Sequence, residues 1–323
     1  MKTILISGGA GYLGTVLTQH LLKKNIVIVY DEFNFNWLIK NKKKVKFNRR
    51  LFLVKKNILD VKKKDFKGVD IVCDLNGIPN DPSSELNKKF TWKINNYARK
   101  KFAETAKKAG VEHYIFNSTC AVYGHNNHVV EEDSVKRPMS TYAKANQKSE
   151  QFIYSLKSKK FTVHILRNAT LYGVSPSMRL DLVINIFVYN YLKIKIIEIN
   201  GNGKQWRPLI SVQDVCKVYS ILILKKPKSF ICNLVAFNSK IRDLAEKIRN
   251  ILNAPKSSIV YKKDNIDKRN YNVSNKKFKR IFANFKFVRL DKDVKALRRY
   301  YIRYKIKKDI KTVRMLFYKK KLS

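Results

Sequence analysis

Seven residues near the start of the chain, Gly8-Gly9-Ala10-Gly11-Tyr12-Leu13-Gly14, constrain its fold most strongly. The apolar run Thr3–Ser7 precedes them, and an amphipathic run from Thr15 to Leu22 follows. A second apolar run, Ile26–Tyr30, then ends at Asp31. Strand, glycine turn, helix, strand and acid in that order predict a βαβ unit that cradles a dinucleotide. The side-chain-free positions Gly8, Gly11 and Gly14 allow the sharp turn, the approach of backbone to a diphosphate and close helix–sheet packing. Free amides and the positive dipole at the helix start favour phosphate charge. Asp31 lies 20 residues past Gly11, where a carboxylate accepts hydrogen bonds from the adenosine ribose. Glu32 and Phe33 follow it. No Arg or Lys stands there to greet a 2′-phosphate, so the expected cofactor is NAD and not NADP.

Strand-like and helix-like runs alternate through the first two-thirds of the 323 residues, which predicts a parallel α/β sheet. No run of about 20 apolar residues is present, so no membrane span is expected. The first strand begins almost at Met1. That leaves no room for a signal peptide and points to a cytoplasmic protein. Cys73, Cys120, Cys216 and Cys232 show no paired spacing and read as reduced core residues, not disulfides or a metal site. His125 and His128 are expected on the surface of a loop. The net charge of +45 concentrates in Lys40–Lys67 and in the tail from Arg289. A lysine-rich solvated surface is the favoured explanation, because no nucleic-acid motif accompanies the charge. In the tail, Ile302, Ile306, Ile310, Val313 and Phe317 recur every three or four residues among Lys and Arg. This predicts one basic amphipathic helix, which packs on the protein, lies on an anionic membrane or meets a partner.

Further along, Asn57-Ile58 follows a strand and can meet an adenine edge. Val69–Leu75 predicts another strand, ended by Asn76-Gly77. Trp92–Gly110 predicts a helix with Asn95, Arg99 and Phe102 on one side. The strand His113–Ser118 runs into Thr119-Cys120-Ala121-Val122-Tyr123-Gly124, with Tyr142 beyond. Later come Arg167, Leu171-Tyr172-Gly173, Arg179-Leu180-Asp181-Leu182-Val183, Gln205-Trp206-Arg207-Pro208 and Asp214-Val215. Leu180–Leu192 and Ile241–Leu252 are predicted helices. With the glycine turn, this pattern resembles the extended short-chain dehydrogenase/reductase family, the nucleotide-sugar epimerases and dehydratases. The resemblance runs to about residue 300.

It implies a Rossmann-type doubly wound parallel sheet with a smaller α/β substrate-binding lobe. Residues 1–172 would bind NAD, 213–224 would return to that domain, 173–300 would mainly form the substrate lobe, and 301–323 would extend beyond both. It implies NAD contacts from Gly8, Gly11, Tyr12, Leu13, Gly14, Asp31, Asn57, Ile58, Leu75, Asn76, Gly77 and Asn95. Thr119 would bond the sugar oxygen and Tyr142 would exchange a proton with it. Thr170, Arg179, Arg207 and Arg269 would hold the nucleotide sugar, the last two through its diphosphate, a task suited to the guanidinium fork. A homodimer would form through the helices at Trp92–Ala109 and Thr141–Leu156. On the residues alone, Arg207 is also free to pair with an acid such as Asp214, and Arg179 with Asp181 on a helix.

One position departs from the family. Tyr-x-x-x-Lys is expected, but the sequence reads Tyr142-Ala143-Lys144-Ala145-Asn146. The lysine would sit one helical turn on and lower the tyrosine pKa. Lys144 and Lys148 do not share the tyrosine's face of a helix. With Asn146 there, two functions are expected to compete. One is an NAD-dependent epimerase or oxidoreductase working through a transient keto sugar. The other is an NAD-binding scaffold or sensor with impaired catalysis. Cys120-Ala121 stand where dehydratases of the family carry Asp-Glu, which favours epimerase or simple oxidoreductase. If the lysine is merely missing, Asn146→Lys should raise turnover.

Overall fold

The computed structural model describes residues 1–35, 49–263, 267 and 269–322. In chain order, β1 (Thr3–Ser7), α1 (Tyr12–Leu21) and β2 (Ile26–Asp31) form the opening unit, followed by β3 (Leu51–Lys55) and β4 (Ile71–Asp74). Short helices α2 (Asp81–Leu86) and α3 (Lys88–Trp92) lead through a π turn, Lys93–Ala98, into α4 (Arg99–Lys108). Then come β5 (His113–Thr119), β6 (His125–Val130), α5 (Thr141–Ser155), β7 (Thr162–Asn168) and β8 (Thr170–Tyr172). After these lie α6 (Val183–Ile194), β9 (Ile197–Asn200), β10 (Trp206–Ser211) and α7 (Val212–Lys225). The chain continues with β11 (Phe230–Leu234), β12 (Phe237–Lys240), α8 (Ile241–Leu252), β13 (Ile259–Lys262) and β14 (Asn270–Val273). It ends with α9 (Lys276–Ile281), α10 (Leu290–Tyr304) and α11 (Arg314–Leu322).

Among the described residues, seven strands form one parallel sheet in the order β11-β7-β5-β4-β1-β2-β3. Its strands are apolar on both faces because both are covered. Ile4 and Ile6 point into the layer with α1 and α7, and Leu5 points into the layer with α4 and α5. Chain order reverses between β4 and β1, so a crevice opens at the carboxyl ends of these strands. Smaller sheets, β12-β10-β8, β13-β9 and β14-β6, build the wall opposite.

Four expectations change. His125 and His128 are exposed but lie on a strand, β6, paired with β14. The apolar helix begins at Val183, because Leu180–Leu182 are held in bends by side-chain and backbone contacts. β11, at residues expected in the smaller lobe, extends the large sheet through β7. The tail is two helices: α10 stops at Lys305, whose φ of +46° is left-handed, and α11 starts at Arg314. Residues 40–48 of the basic stretch lie outside the described residues. The four cysteines are free and buried. No helix among the described residues is long and apolar enough to cross a membrane.

His113 and His164, on adjacent strands, meet edge to face with ring centroids 4.7 Å apart. None of their four ring nitrogens has a partner. Burial pushes His113 down to about 4 and His164 to about 3, so both stay neutral when folded. Below the unfolded value of about 6.5 the unfolded chain binds the extra protons, and stability falls as pH falls toward the folded values. His164→Phe keeps the contact with Phe230, whose ring lies 4.3 Å away. Between pH 8 and pH 5 in urea titrations, this variant should lose about 2 kcal/mol less stability than the wild type.

Candidate active site

The crevice at the strand ends is a cleft of about 880 Å³. On one wall, Gly8 adopts φ +72°, and the Gly11 amide bonds to the Gly8 carbonyl at 3.1 Å. A Cβ on Gly14 would sit 2.4 Å from the Gly8 oxygen, so only glycine lets α1 start this close to the turn. Gly11 caps α1 with no side-chain hydrogen bond, leaving its first amides for an anion. Asp31 accepts from the Ala10 amide at 3.0 Å and the Phe33 amide at 2.7 Å. Burial pushes its pKa up, and the two amides pull it down. The carboxylate therefore braces the turn while facing the cleft. This bare, amide-lined cradle with Asp31 at its edge fits NAD. Tyr12 and Leu13 line it, and the Tyr12 phenol donates to the Gly173 carbonyl at 2.7 Å.

Two expected cofactor residues also support the loops of the cleft. Asn95 is fully buried; its Oδ1 accepts from the Ile78 amide at 2.7 Å and its Nδ2 donates to the Ile78 carbonyl at 3.0 Å. It thereby fixes the loop Leu75-Asn76-Gly77 at the cleft, where Gly77 has φ +141°. Asn57 accepts from the Leu59 amide at 2.9 Å and donates to Glu32 at 2.5 Å. Its oxygen is thus already engaged in capping the turn that holds Ile58, which is buried beside it. Thr170 lines the floor from β8.

The residues expected to react lie where β5 ends and α5 begins. Thr119 Oγ1 accepts from the Ala121 amide at 3.1 Å, and Thr119 and Tyr142 both line the cleft. Burial raises the Tyr142 pKa above its ordinary value. The Thr119 side chain lowers it, Asp81 raises it, and Arg179 and Arg99 lower it. Asn146, 1% exposed, donates to the Tyr142 carbonyl at 2.9 Å and accepts from Arg99 Nη1 at 3.0 Å. Arg99 also pairs with Asp74 at 3.0 Å. That carboxylate, fully buried, accepts from Ser7 at 2.8 Å and Tyr114 at 2.9 Å as well. A guanidinium from α4 thus stands behind the position where the family carries lysine.

The opposite wall carries the arginines. Arg179 forms a two-pronged pair with Asp181, 2.9 and 3.0 Å, in the bends before α6 and not on a helix. Arg207 pairs with Asp267 at 2.5 Å, whereas Asp214 takes Lys217 at 2.9 Å. Arg269 pairs with Asp267 at 2.6 Å and with Asp81. These two arginines hold Asp267 far below the usual carboxylate range. Asp81, Asp267, Arg99 and Arg314 all line the cleft and were not found in the sequence. Arg99 alone left a signal there, on the Asn95 side of its helix.

The chain matches the NAD dependent epimerase/dehydratase family over residues 4–234. It is 30% identical over 233 residues to an uncharacterized UDP-glucose epimerase of Bacillus subtilis, covering 69% of this chain and 73% of that one. It is 29% identical over 273 residues to the dTDP-D-glucose 4,6-dehydratase of Dictyostelium discoideum, covering 78% of this chain and 62% of the relative. The UDP-glucuronic acid 4-epimerase of Bacillus cereus, solved with UDP-glucuronic acid and NAD, has the same fold. The TM-score is 0.81 at 23% identity, over 94% of this chain and 99% of that one.

Proposed function

The chain belongs to the NAD dependent epimerase/dehydratase family, and from its cleft we propose that it epimerises a hexose carried on a nucleoside diphosphate. One observation carries this reading. Tyr142 and Thr119 lie in one cleft between the glycine turn on one wall and Arg207 and Arg269 on the other. Most of residues 173–300 would hold the nucleotide sugar, and 1–172 with 213–224 the cofactor. The glycine turn and Asp31 would hold NAD, which would supply reversible hydride transfer at the sugar carbon. Tyr142 takes the sugar hydroxyl proton as that hydride leaves, and gives it back to the keto oxygen on the return. Thr119 orients the oxygen, and Arg207 and Arg269 grip the diphosphate so that the sugar can present its other face. Cys120 is buried and donates to the Arg167 carbonyl at 3.2 Å. Neither it nor Ala121 can supply the acid and base that loss of water needs, which favours epimerisation.

The test is incubation of the purified protein with UDP- and dTDP-hexoses, followed by mass spectrometry and sugar analysis. The expected product is an epimer of unchanged mass. A product lighter by one water would make the enzyme a dehydratase, and no conversion of any of these sugars would remove the reading. The proposal includes a homodimer through α3–α4 and α5, supported by Trp92 and Tyr97, 40% and 59% exposed on that face. A monomer mass in sedimentation equilibrium would remove that part. A cytoplasmic location fits four free cysteines.

A further inference from the structure

α11 lies about 80 residues beyond the part of the chain that matches the family, yet it forms a wall of the cofactor cleft. The Thr312 carbonyl accepts from the Leu180 amide at 2.7 Å, just before the helix. Phe317 meets Phe35 with centroids 4.8 Å apart, and Lys321 pairs with Glu32 at 3.1 Å. The helix also packs along α2. Its first residue is Arg314, 2% exposed, with its guanidinium over the Phe35 ring at 3.5 Å. Arg314 donates to the Lys311 carbonyl, to Ser177 Oγ at 3.0 Å and to the Ser177 carbonyl at 3.3 Å. Every one of these acceptors is neutral. Among the described residues no carboxylate lies within ion-pair distance of it, and residues 36–48, which follow Phe35, contain no Asp or Glu. Burial and Arg179 depress its pKa to about 9, and Asp181, Tyr318 and Asp31 raise it, so the charge persists at neutral pH.

A buried cation without an anion is costly, and its surroundings indicate which anion is absent. The Ser177 amide donates to Ser175 Oγ at 3.2 Å, and Ser175 Oγ donates to the Tyr12 carbonyl at 2.7 Å and meets Thr15 Oγ1 at 3.0 Å. Tyr12 and Thr15 are the first turn of α1. Phe35 follows Asp31 on the other flank of the same cradle. Arg314 is thus pinned between the helix start and the ribose-side carboxylate, facing the cleft that Gly11 and Gly14 line.

We propose that Arg314 is a binding residue for the cofactor's diphosphate, delivered by the C-terminal helix from the side opposite the glycine turn. The anion completes the ion pair that the protein alone leaves open. This rests on the glycine turn as the diphosphate site, so the experiment tests the two separately. Calorimetric titrations of the full chain with NAD, ADP, adenosine and UDP are made on the wild type, Arg314→Met, Arg314→Lys and Gly14→Val. Arg314→Met should weaken NAD and ADP by roughly 10- to 100-fold, the range of a charge-assisted contact. Adenosine and UDP should bind as before, and Arg314→Lys should recover part of the loss. The salt dependence of NAD binding should also flatten in Arg314→Met. Without ligand, this variant should melt no lower than the wild type, because a buried uncompensated charge is removed. NAD affinity equal to the wild type would overturn the proposal. So would equal losses for NAD and adenosine with a lowered melting point, which would make α11 a packing element, or a loss for UDP alone, which would place Arg314 at the sugar nucleotide. If Gly14→Val binds NAD normally, the glycine-turn assignment itself fails.

Discussion

Tyr142→Phe should lower turnover by about 10²- to 10⁴-fold, the range for loss of a positioned acid–base group, while NAD affinity stays at its wild-type value. The ring keeps its volume and its place in the first turn of α5, where Ser140 caps the helix. Only the hydroxyl beside Thr119 is lost. Because burial holds the free-protein phenol above its ordinary pKa, Tyr142 must lose its proton to act as base. Activity should therefore rise with pH along a limb set by this group. The cations that pull it down, Arg179 and Arg99, set where that limb falls. Steady-state rates across pH for the wild type and variant check both points. Wild-type turnover in Tyr142→Phe would take the proton transfer away from this residue.

What the sequence disclosed follows the distance over which its signals act. The turn Gly8–Gly14 and the acid Asp31 were readable because one ligand and one βαβ unit impose their chemistry within a short stretch. Thr119, Tyr142 and the arginines were reachable through the family pattern. Asp81 and Asp267 were not, since each matters only by meeting Arg269, and Asp81 does so across 188 positions. Arg314 was hidden differently. The three- and four-residue spacing from Ile302 to Phe317 fits one helix, but Lys305 takes the left-handed conformation that ends α10. A lysine gives no warning of this, unlike Gly or Asn. The spacing then spans two helices, and its first member, Ile302, is 62% exposed while the neighbouring Tyr301 is buried. Likewise nothing within Phe230–Leu234 shows that its partner is β7 in the large sheet.

The departure at Asn146 has a different consequence from the one its sequence suggests. A lysine introduced there would not restore a missing charge, because Arg99 already supplies one. Asn146 Oδ1 accepts from Arg99 Nη1, and lysine has three donors and no acceptor. Asn146→Lys would place an ammonium against a guanidinium at a site 1% exposed. The expected result is a loss of about 3 kcal/mol or more in urea titrations, together with lower turnover. Arg99→Met should cost a similar amount by stranding Asp74, which is fully buried, and should shift the rising limb of the pH–rate profile upward. The double variant Arg99→Met/Asn146→Lys should lose much less than the two losses combined, since the new ammonium then stands alone near Asp74. Strict additivity would show that Arg99 and Asn146 do not act as a unit. Improved turnover in Asn146→Lys alone would show that the site does lack a cation. The pair observed here instead explains how a chain without the family's lysine keeps a positive charge behind Tyr142, and so why an impaired scaffold is the less favoured account.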